Sequence, residues 1–333
     1  MVSSCDKLPD DTIVQQVPAY YTESGYLDGR VEVINQAIED AVEPETFFWI
    51  TDIHWELDLN ERHSPALIKY IAERTGVSKV LNGGDTGNSN VICGNAIGRL
   101  RDAIGSNEVY SVNGNHEIND ASRYEEPFQR VCKTLRGHND NLVYGDSNRS
   151  YFYWNQETDK TRFIGLSTYG LYINGRYASA YTSEQLRWFT EDALNVEEGW
   201  TIVIFAHALY IADPYTNELS LLSSSFANAI DNYKGKGNIA CVLMGDSHVD
   251  RIHIGPTGVP YIISQCDRTE PYKGDINVDR VPGTISEQHF EVVVLDKKRQ
   301  EVKLFAIGSD ARDGIDDERG KQVEERTVNY GGL

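Results

Sequence analysis

The chain has 333 residues, with 51 Asp or Glu against 31 Lys or Arg, for a formal charge of −20 at pH 7. That balance disfavours long nucleic acid as a partner, because backbone binding needs a positive face. A composition 40% hydrophobic and 10% aromatic, with 19 Tyr, excludes a disordered chain. No run approaches the length of a bilayer span, so no membrane contact is expected. Residues 1–11 carry Cys5, Asp6 and Pro9 in place of the apolar core of a secretory signal. Five cysteines, Cys5, Cys93, Cys132, Cys241 and Cys266, are scattered and form no CxxC pair. They read as small buried hydrophobes in a reducing, cytoplasmic compartment.

In chain order, residues 29–42 place Val31, Ile34, Ala37, Ile38 and Ala41 at helical spacing, and Pro44 ends the helix. Residues 47–50 are a wholly apolar run, read as a buried strand, followed at once by Thr51-Asp52-Ile53-His54. Residues 63–75 predict a helix, and 77–81 a second strand ending in Asn82-Gly83-Gly84-Asp85. Residues 91–104 predict a helix, and 108–112 a third strand ending in Asn113-Gly114-Asn115-His116. Strand, polar tip and helix thus repeat, the pattern of a sheet with helical crossovers and functional groups at the strands' C-terminal ends.

Residues 117–150 lose periodicity and read as an inserted or capping loop. Residues 151–154 and 162–167 resemble a hairpin. Residues 183–194 predict a helix capped by Thr182. Residues 201–206 are an apolar strand ending at His207. A mixed insertion at 209–237 predicts a helix near 219–233, and 239–244 is a strand ending in Gly245-Asp246-Ser247-His248. Strands are expected at 251–254, 259–264, 290–295 and 301–306, before a charged C-terminal tail at 309–333. The expected organisation is a lead and helix over 1–45, one domain over 46–308, and that tail.

Five apolar runs therefore end in acids, amides or histidines, and four of the eight histidines, His54, His116, His207 and His248, lie at these tips. Asp52 and His54, two apart, share one side of an extended segment and suit a single ion. Asp85, after its glycine turn, suits a bridge between two cations. Oxygen and imidazole donors without thiolate fit Mn, Fe or Zn rather than a closed structural zinc site. Two cations about 3.5–4 Å apart would clamp the attacking and leaving oxygens of a phosphoryl group.

In these motifs, D-x-H at 52–54, Gly84-Asp85, Gly114-Asn115-His116-Glu117, Ala206-His207 and Gly245-Asp246-Ser247-His248, the chain resembles the calcineurin-like metallophosphoesterases. The resemblance implies an α/β fold of two face-to-face mixed β-sheets flanked by helices, a four-layer sandwich. It implies two divalent metal ions, the first held by Asp52, His54 and His248, the second by Asn115, His207 and residue 246, with Asp85 bridging. A hydroxide between the ions would attack phosphorus, and His116 would meet the phosphate and protonate the leaving oxygen. The implied activity is hydrolysis of a phosphomonoester or phosphodiester, with a small soluble substrate favoured by the acidic chain. The alternative is a non-catalytic or weakly catalytic interaction module on the same fold.

Two positions depart from the pattern. Residue 246 is Asp where the family usually has His, so three carboxylates face two divalent ions and leave one positive charge instead of two. That makes an oxygen-seeking ion, Mn, the favoured metal, with Fe, Zn or Ni as alternatives. Position 88 is Asn where some relatives carry an acid that supports the catalytic imidazole. Substrate selection is expected from the loops over the site. The candidate contacts are Arg123, Tyr172, Arg176 and Tyr210, whereas Arg136 and His138 read as loop structure.

Overall fold

A computed structural model describes residues 16–55, 62–119, 125–173, 176–179, 181–213, 218–267, 281, 283–309 and 325–331. Helices α1 (Ala19–Thr22) and α2 (Tyr26–Asp40) precede an alternation of β1 (Pro44–Ile50), α3 (Ser64–Thr75), β2 (Val80–Asn82), α4 (Asn90–Ile104) and β3 (Val109–Ser111). Next come α5 (Asn115–Asn119), α6 (Glu125–Arg136), β4 (Val143–Tyr144), β5 (Phe152–Gln156), β6 (Thr161–Leu166) and the hairpin β7 (Tyr169–Ile173) and β8 (Arg176–Ser179). The next stretch holds α7 (Ser183–Trp188), β9 (Thr201–Ala206), β10 (Tyr210–Ala212), β11 (Leu219–Leu221), α8 (Ser224–Asp231) and β12 (Asn238–Met244). Strands β13 (Arg251–Ile254), β14 (Pro260–Ile263), β15 (His289–Asp296), β16 (Glu301–Gly308) and β17 (Glu325–Asn329) follow.

These strands form a six-stranded sheet, β17-β16-β15-β1-β2-β3, and a seven-stranded sheet, β13-β14-β12-β9-β6-β5-β4. The first is parallel over β1-β2-β3 at one end and antiparallel over β15, β16 and β17, and the second has a parallel interior, β6-β9-β12-β14, with antiparallel strands at both edges. The four-layer sandwich follows from the apolar runs. In β1, Phe47 and Trp49 pack between the sheets with Phe163, Phe205, Leu243 and Val293, while Phe48 and Ile50 face the helical layer of Leu67, Ile71, Ile97 and Leu100. A strand buried on both faces has to be apolar throughout, which is why these segments show no alternation. A third cluster packs Phe189, Phe226 and Ile230 against Ile204 and Val242 on the outer face of the second sheet. Full burial of each such side chain stabilises the fold by ~1.5–3 kcal/mol.

Local signals set the crossovers. Ser89 Oγ accepts from Ile92 N at the start of α4, and Thr182 Oγ1 from Gln185 N at the start of α7. α3 ends at Gly76, whose φ of +76° is the left-handed conformation a glycine terminator supplies. Four expectations change. The 183–194 helix is α-helical only to Trp188 and closes with a π turn, Phe189–Ala193. Residues 219–221 form a strand paired with β10, so the helix there is confined to Ser224–Asp231. The 117–150 segment holds α5 and α6, whose Phe128, Val131, Cys132 and Leu135 are buried. The charged tail contributes β17, paired antiparallel with β16. Arg136 is buried and donates to Ser111 O (2.7 Å), and His138 lies 3.0 Å from Val109 O, both structural contacts. The four described cysteines are buried without disulfides, and among the described residues no helix is long and apolar enough to cross a membrane.

Candidate metal centre

Strands β1, β2 and β3 run parallel, as do β9 and β12, so the residues after them emerge on shared edges that meet across the sandwich. The join is direct. His207, after β9, donates from Nδ1 to Gly83 O at 2.8 Å, and Asp246 N, after β12, donates to Asp52 Oδ2 at 3.0 Å. The first bond fixes the His207 tautomer with Nε2 facing inward, the second-sphere arrangement that orients an imidazole ligand. His207 Nε2 then lies 3.1 Å from Asp246 Oδ1, 3.2 Å from Asn115 Oδ1 and 3.4 Å from Asp85 Oδ2. On the other side, His248 Nε2 lies 3.3 Å from Asp52 Oδ1 and 3.4 Å from His54 Nε2.

Donor atoms of Asp52, His54 and His248 lie within 4.8 Å of one another, as do those of Asp52, Asp85 and His207. The two groups share Asp52 and are adjacent, the layout of neighbouring cation sites. His54, Asp85 and His116 form a third such group. His116 is the most open of these imidazoles, its side chain 32% exposed against 3% for His54 and none for His207. Its ring stands edge-on to His54 with centroids 4.5 Å apart.

The backbone is bent to present these groups. Nine non-glycine residues among those described adopt positive φ, and five of them are Asp52, His54, Asp85, Asp246 and His248, at 45–65°. Such conformations cost on the order of 1–3 kcal/mol each and persist where surrounding structure over-determines them. Glu117 is the main restraint. Buried beside the site, its carboxylate accepts the backbone N–H groups of Asp85 (3.0 Å), Thr86 and Gly114 (2.6 Å). It thereby ties the loop after β2 to the loop after β3. Gly84 permits their close approach, since a Cβ there would lie 2.6 Å from Gly114 N.

Among the described residues the site has no permanent cation of its own, only imidazoles. Among the described residues, no lysine or arginine pairs with Asp52, Asp85 or Asp246. Burial works against ionising Asp52 and Asp85, yet the neighbouring histidines outweigh it and hold both carboxyls below the usual range. Burial pushes His54 down to about 4, whereas His207 and His248 rise despite burial, the first through Asp85 and Asp52, the second through Cys266 and Asp52. Burial, then Asp85, pushes Glu117 up to about 7. Asp52 Oδ2 takes bonds from Thr51 Oγ1 (2.7 Å) and Asp246 N, but its fully buried Oδ1 takes none from the described residues. A bare buried carboxylate oxygen among imidazole and amide donors fits a divalent cation.

All seven predicted ligands, Asp52, His54, Asp85, Asn115, His207, Asp246 and His248, converge, with His116 beside them. The predicted substrate contacts do not join them. Arg123 and the side chains of Tyr172 and Arg176 lie outside the described residues. Tyr210 packs on Tyr261 and His253, with centroids 5.0 and 5.3 Å away, and none of its contacts among the described residues is with the cluster. Sequence reasoning missed two supports. Glu117 was visible as the last residue of the GNHE motif, but its role needs the fold. The Tyr169 hydroxyl, 3.2 Å from Asp246 Oδ1, had no local signal.

The family model for calcineurin-like phosphoesterase matches residues 46–250. No curated protein matches the chain. Among similar solved structures, a dimetal phosphatase from Danio rerio is 14% identical with a TM-score of 0.53, the match covering 88% of this chain and 100% of that one. A purple acid phosphatase from yellow lupin (Lupinus luteus) seeds is 14% identical with a TM-score of 0.52 over 86% of this chain. The match covers 54% of the lupin chain, so this chain spans about half its length. At these identities the likeness is one of fold.

Proposed function

Because the chain belongs to the calcineurin-like phosphoesterase family, whose model spans more than half of it, we propose that it hydrolyses a phosphomonoester or phosphodiester at a binuclear metal centre. Asp52, His54 and His248 would hold one ion and Asn115, His207 and Asp246 the other, with Asp85 placed to serve both. Two divalent cations, when bound, supply the charge that holds phosphoryl oxygens and acidify a water. The protein's share is orientation: Gly83 O fixes His207, Glu117 fixes the loop of Asp85, and Thr51 fixes Asp52. His116, the most exposed imidazole of the group, meets the phosphoryl group and protonates the leaving oxygen. With three carboxylates in the set, Mn is the favoured metal. The −20 charge of the chain favours a small substrate over a polyanion.

One observation carries the reading: two buried carboxylates, Asp52 and Asp85, and the half-buried Asp246 meet at three strand ends with no lysine or arginine among the described residues to neutralise them. The test is elemental analysis of bound metal after Mn loading and buffer exchange, with turnover measured on monoester and diester panels. His116→Ala is run beside the natural sequence. Two ions per chain in both proteins, with kcat lowered ~10²–10⁴-fold in the variant, is the expected result. Fewer than two ions in the natural sequence, or turnover indifferent to His116→Ala, overturns the proposal.

A further inference from the structure

Asp246 departs from the imidazole expected at its position, and the structure surrounds it with a partner that the motif does not contain. Tyr169 follows β6, which lies beside β9 in the second sheet, so it emerges next to His207. Its backbone carbonyl is anchored from two sides, by Asn113 Nδ2 from the loop after β3 and by Ser167 Oγ at 3.2 Å. Its ring is 9% exposed, packs with Ile118, Phe128, Cys132 and Ala208, and stands edge-on to His207 at 5.4 Å between centroids. The hydroxyl reaches Asp246 Oδ1 at 3.2 Å, the same oxygen that lies 3.1 Å from His207 Nε2.

A carboxylate differs from an imidazole in three ways that matter here. It is shorter, it offers two equivalent oxygens that exchange by rotation, and it brings a full negative charge. The backbone of Asp246 is set by its bond to Asp52, but that bond leaves the carboxylate free to turn. A phenolic O–H on one oxygen removes that freedom and withdraws charge from it. We propose that Tyr169 is a positioning residue for Asp246, and that the phenol and the carboxylate act as one unit in place of the single imidazole. This rests on the binuclear reading above. Ligating carboxylates are themselves hydrogen-bonded as a rule, and loss of such a partner costs about 10–100-fold in metal affinity.

The test is a double-mutant cycle read by Mn²⁺ binding isotherms, with free Mn²⁺ followed by electron paramagnetic resonance. Tyr169→Phe keeps the buried ring and removes only the hydroxyl, so the core around it is preserved. The expected result is one ion held as in the natural sequence and the other weakened about 10-fold or more. In an Asp246→His background there is no carboxylate to hold, and adding Tyr169→Phe then changes affinity less than about 2-fold. An equal loss in both backgrounds means that the hydroxyl acts independently of the Asp246 carboxylate, and it overturns the inference. So does a silent Tyr169→Phe in a protein that binds two ions, which leaves the metal centre standing. A natural sequence that binds fewer than two ions brings down both.

Discussion

The loop after β12 feeds two buried clusters of similar composition that behave as opposites. Asp246 and His248 belong to the candidate metal centre, whereas Asp250 joins His289 and Glu291, whose donor atoms also lie within 4.8 Å of one another. In the second cluster, Arg326 from β17 reaches both carboxylates, 3.3 Å from Asp250 Oδ1 and hydrogen-bonded to Glu291 Oε1. Gln265 Nε2 donates to Asp250 Oδ2 (2.7 Å), and Ser264 Oγ donates to Glu291 Oε2 (2.7 Å) while accepting from Trp49 Nε1. None of these residues adopts positive φ. In the candidate metal centre, by contrast, five residues do, and Asp52 Oδ1 takes no hydrogen bond from the described residues. Aspartate, glutamate and histidine in proximity therefore do not define a cation site. What separates the two is whether the described residues supply a permanent positive charge, as Arg326 does, or only imidazoles that can give up a proton. Where the charge is permanent, the cluster bolts the sheets together; where it is not, strained backbone holds charge ready for an ion from outside.

Removing the internal cation should break the comparison most forcefully. Arg326→Met leaves Asp250 and Glu291 buried against each other, and a loss of about 3–5 kcal/mol in urea denaturation is expected. The triple change Asp250→Asn, Glu291→Gln, Arg326→Met removes the charge altogether and should recover most of that loss. In the metal centre the loss should be smaller. Asp85→Asn removes one of three carboxylates beside His207, which keeps Asp52 and Asp246 as partners, so in chelator the variant should lose no more than about 1–2 kcal/mol, while failing to gain stability from Mn. A drop below 1 kcal/mol for Arg326→Met, or a large loss for Asp85→Asn in chelator, would show that the two clusters do not differ as described.

Glu117 sharpens the same distinction, because it is an uncompensated carboxylate used for structure within the metal centre. Its partners are three backbone amides, and no side-chain cation is among them. Glutamine keeps the shape but exchanges one acceptor oxygen for an NH₂ group that faces a donor. Stranding one buried amide costs about 1–3 kcal/mol. Through the displaced Asp85 loop, ion affinity should fall about 10–100-fold. Unchanged Mn isotherms for Glu117→Gln would remove Glu117 from the support of the site.

The candidate metal centre was legible because each of its proposed ligands closely follows an apolar strand, so local pattern and motif coincide from Asp52 to His248. The supports were not legible, since their partners are distant in sequence: Glu117 acts across 32 and 31 residues on Asp85 and Thr86, and Tyr169 across 77 on Asp246. Helix α6 shows why the 117–150 segment read as a loop. Phe128, Val131, Cys132 and Leu135 do recur at helical spacing, but in a stretch otherwise dense in charge and amide. Strand β17 is hidden for a stronger reason. Its inward residues alternate as Arg326 and Val328, so one of the two core positions is a cation, and only the carboxylates waiting between the sheets make that a buried strand. The charge at Arg326 is complementarity with Asp250 and Glu291, which no local pattern in the tail reveals.

The smallest effect, and the one with the clearest sign, is the response to pH. His207 and His248 both sit above the ordinary imidazole value of 6.5, because neighbouring acidic groups favour their protonated forms. A group raised in the folded state contributes stability that is present below its unfolded value and lost as the pH climbs through its folded value. Without metal, then, the protein should lose stability as the pH rises above 6.5. A cation has to displace those same protons, so its affinity should rise over the same interval. The gain in Tm on adding Mn should therefore widen from pH 6.5 upward, with protons released on binding near the lower end. Calorimetric titration in two buffers of different ionisation enthalpy counts those protons directly. His207→Gln, which removes one of the two proton sites, should narrow the widening. The Arg326 cluster has no such exchangeable proton in its cation, so Arg326→Lys, which alters its geometry but keeps its charge, should leave the pH dependence of the Mn-induced shift unchanged.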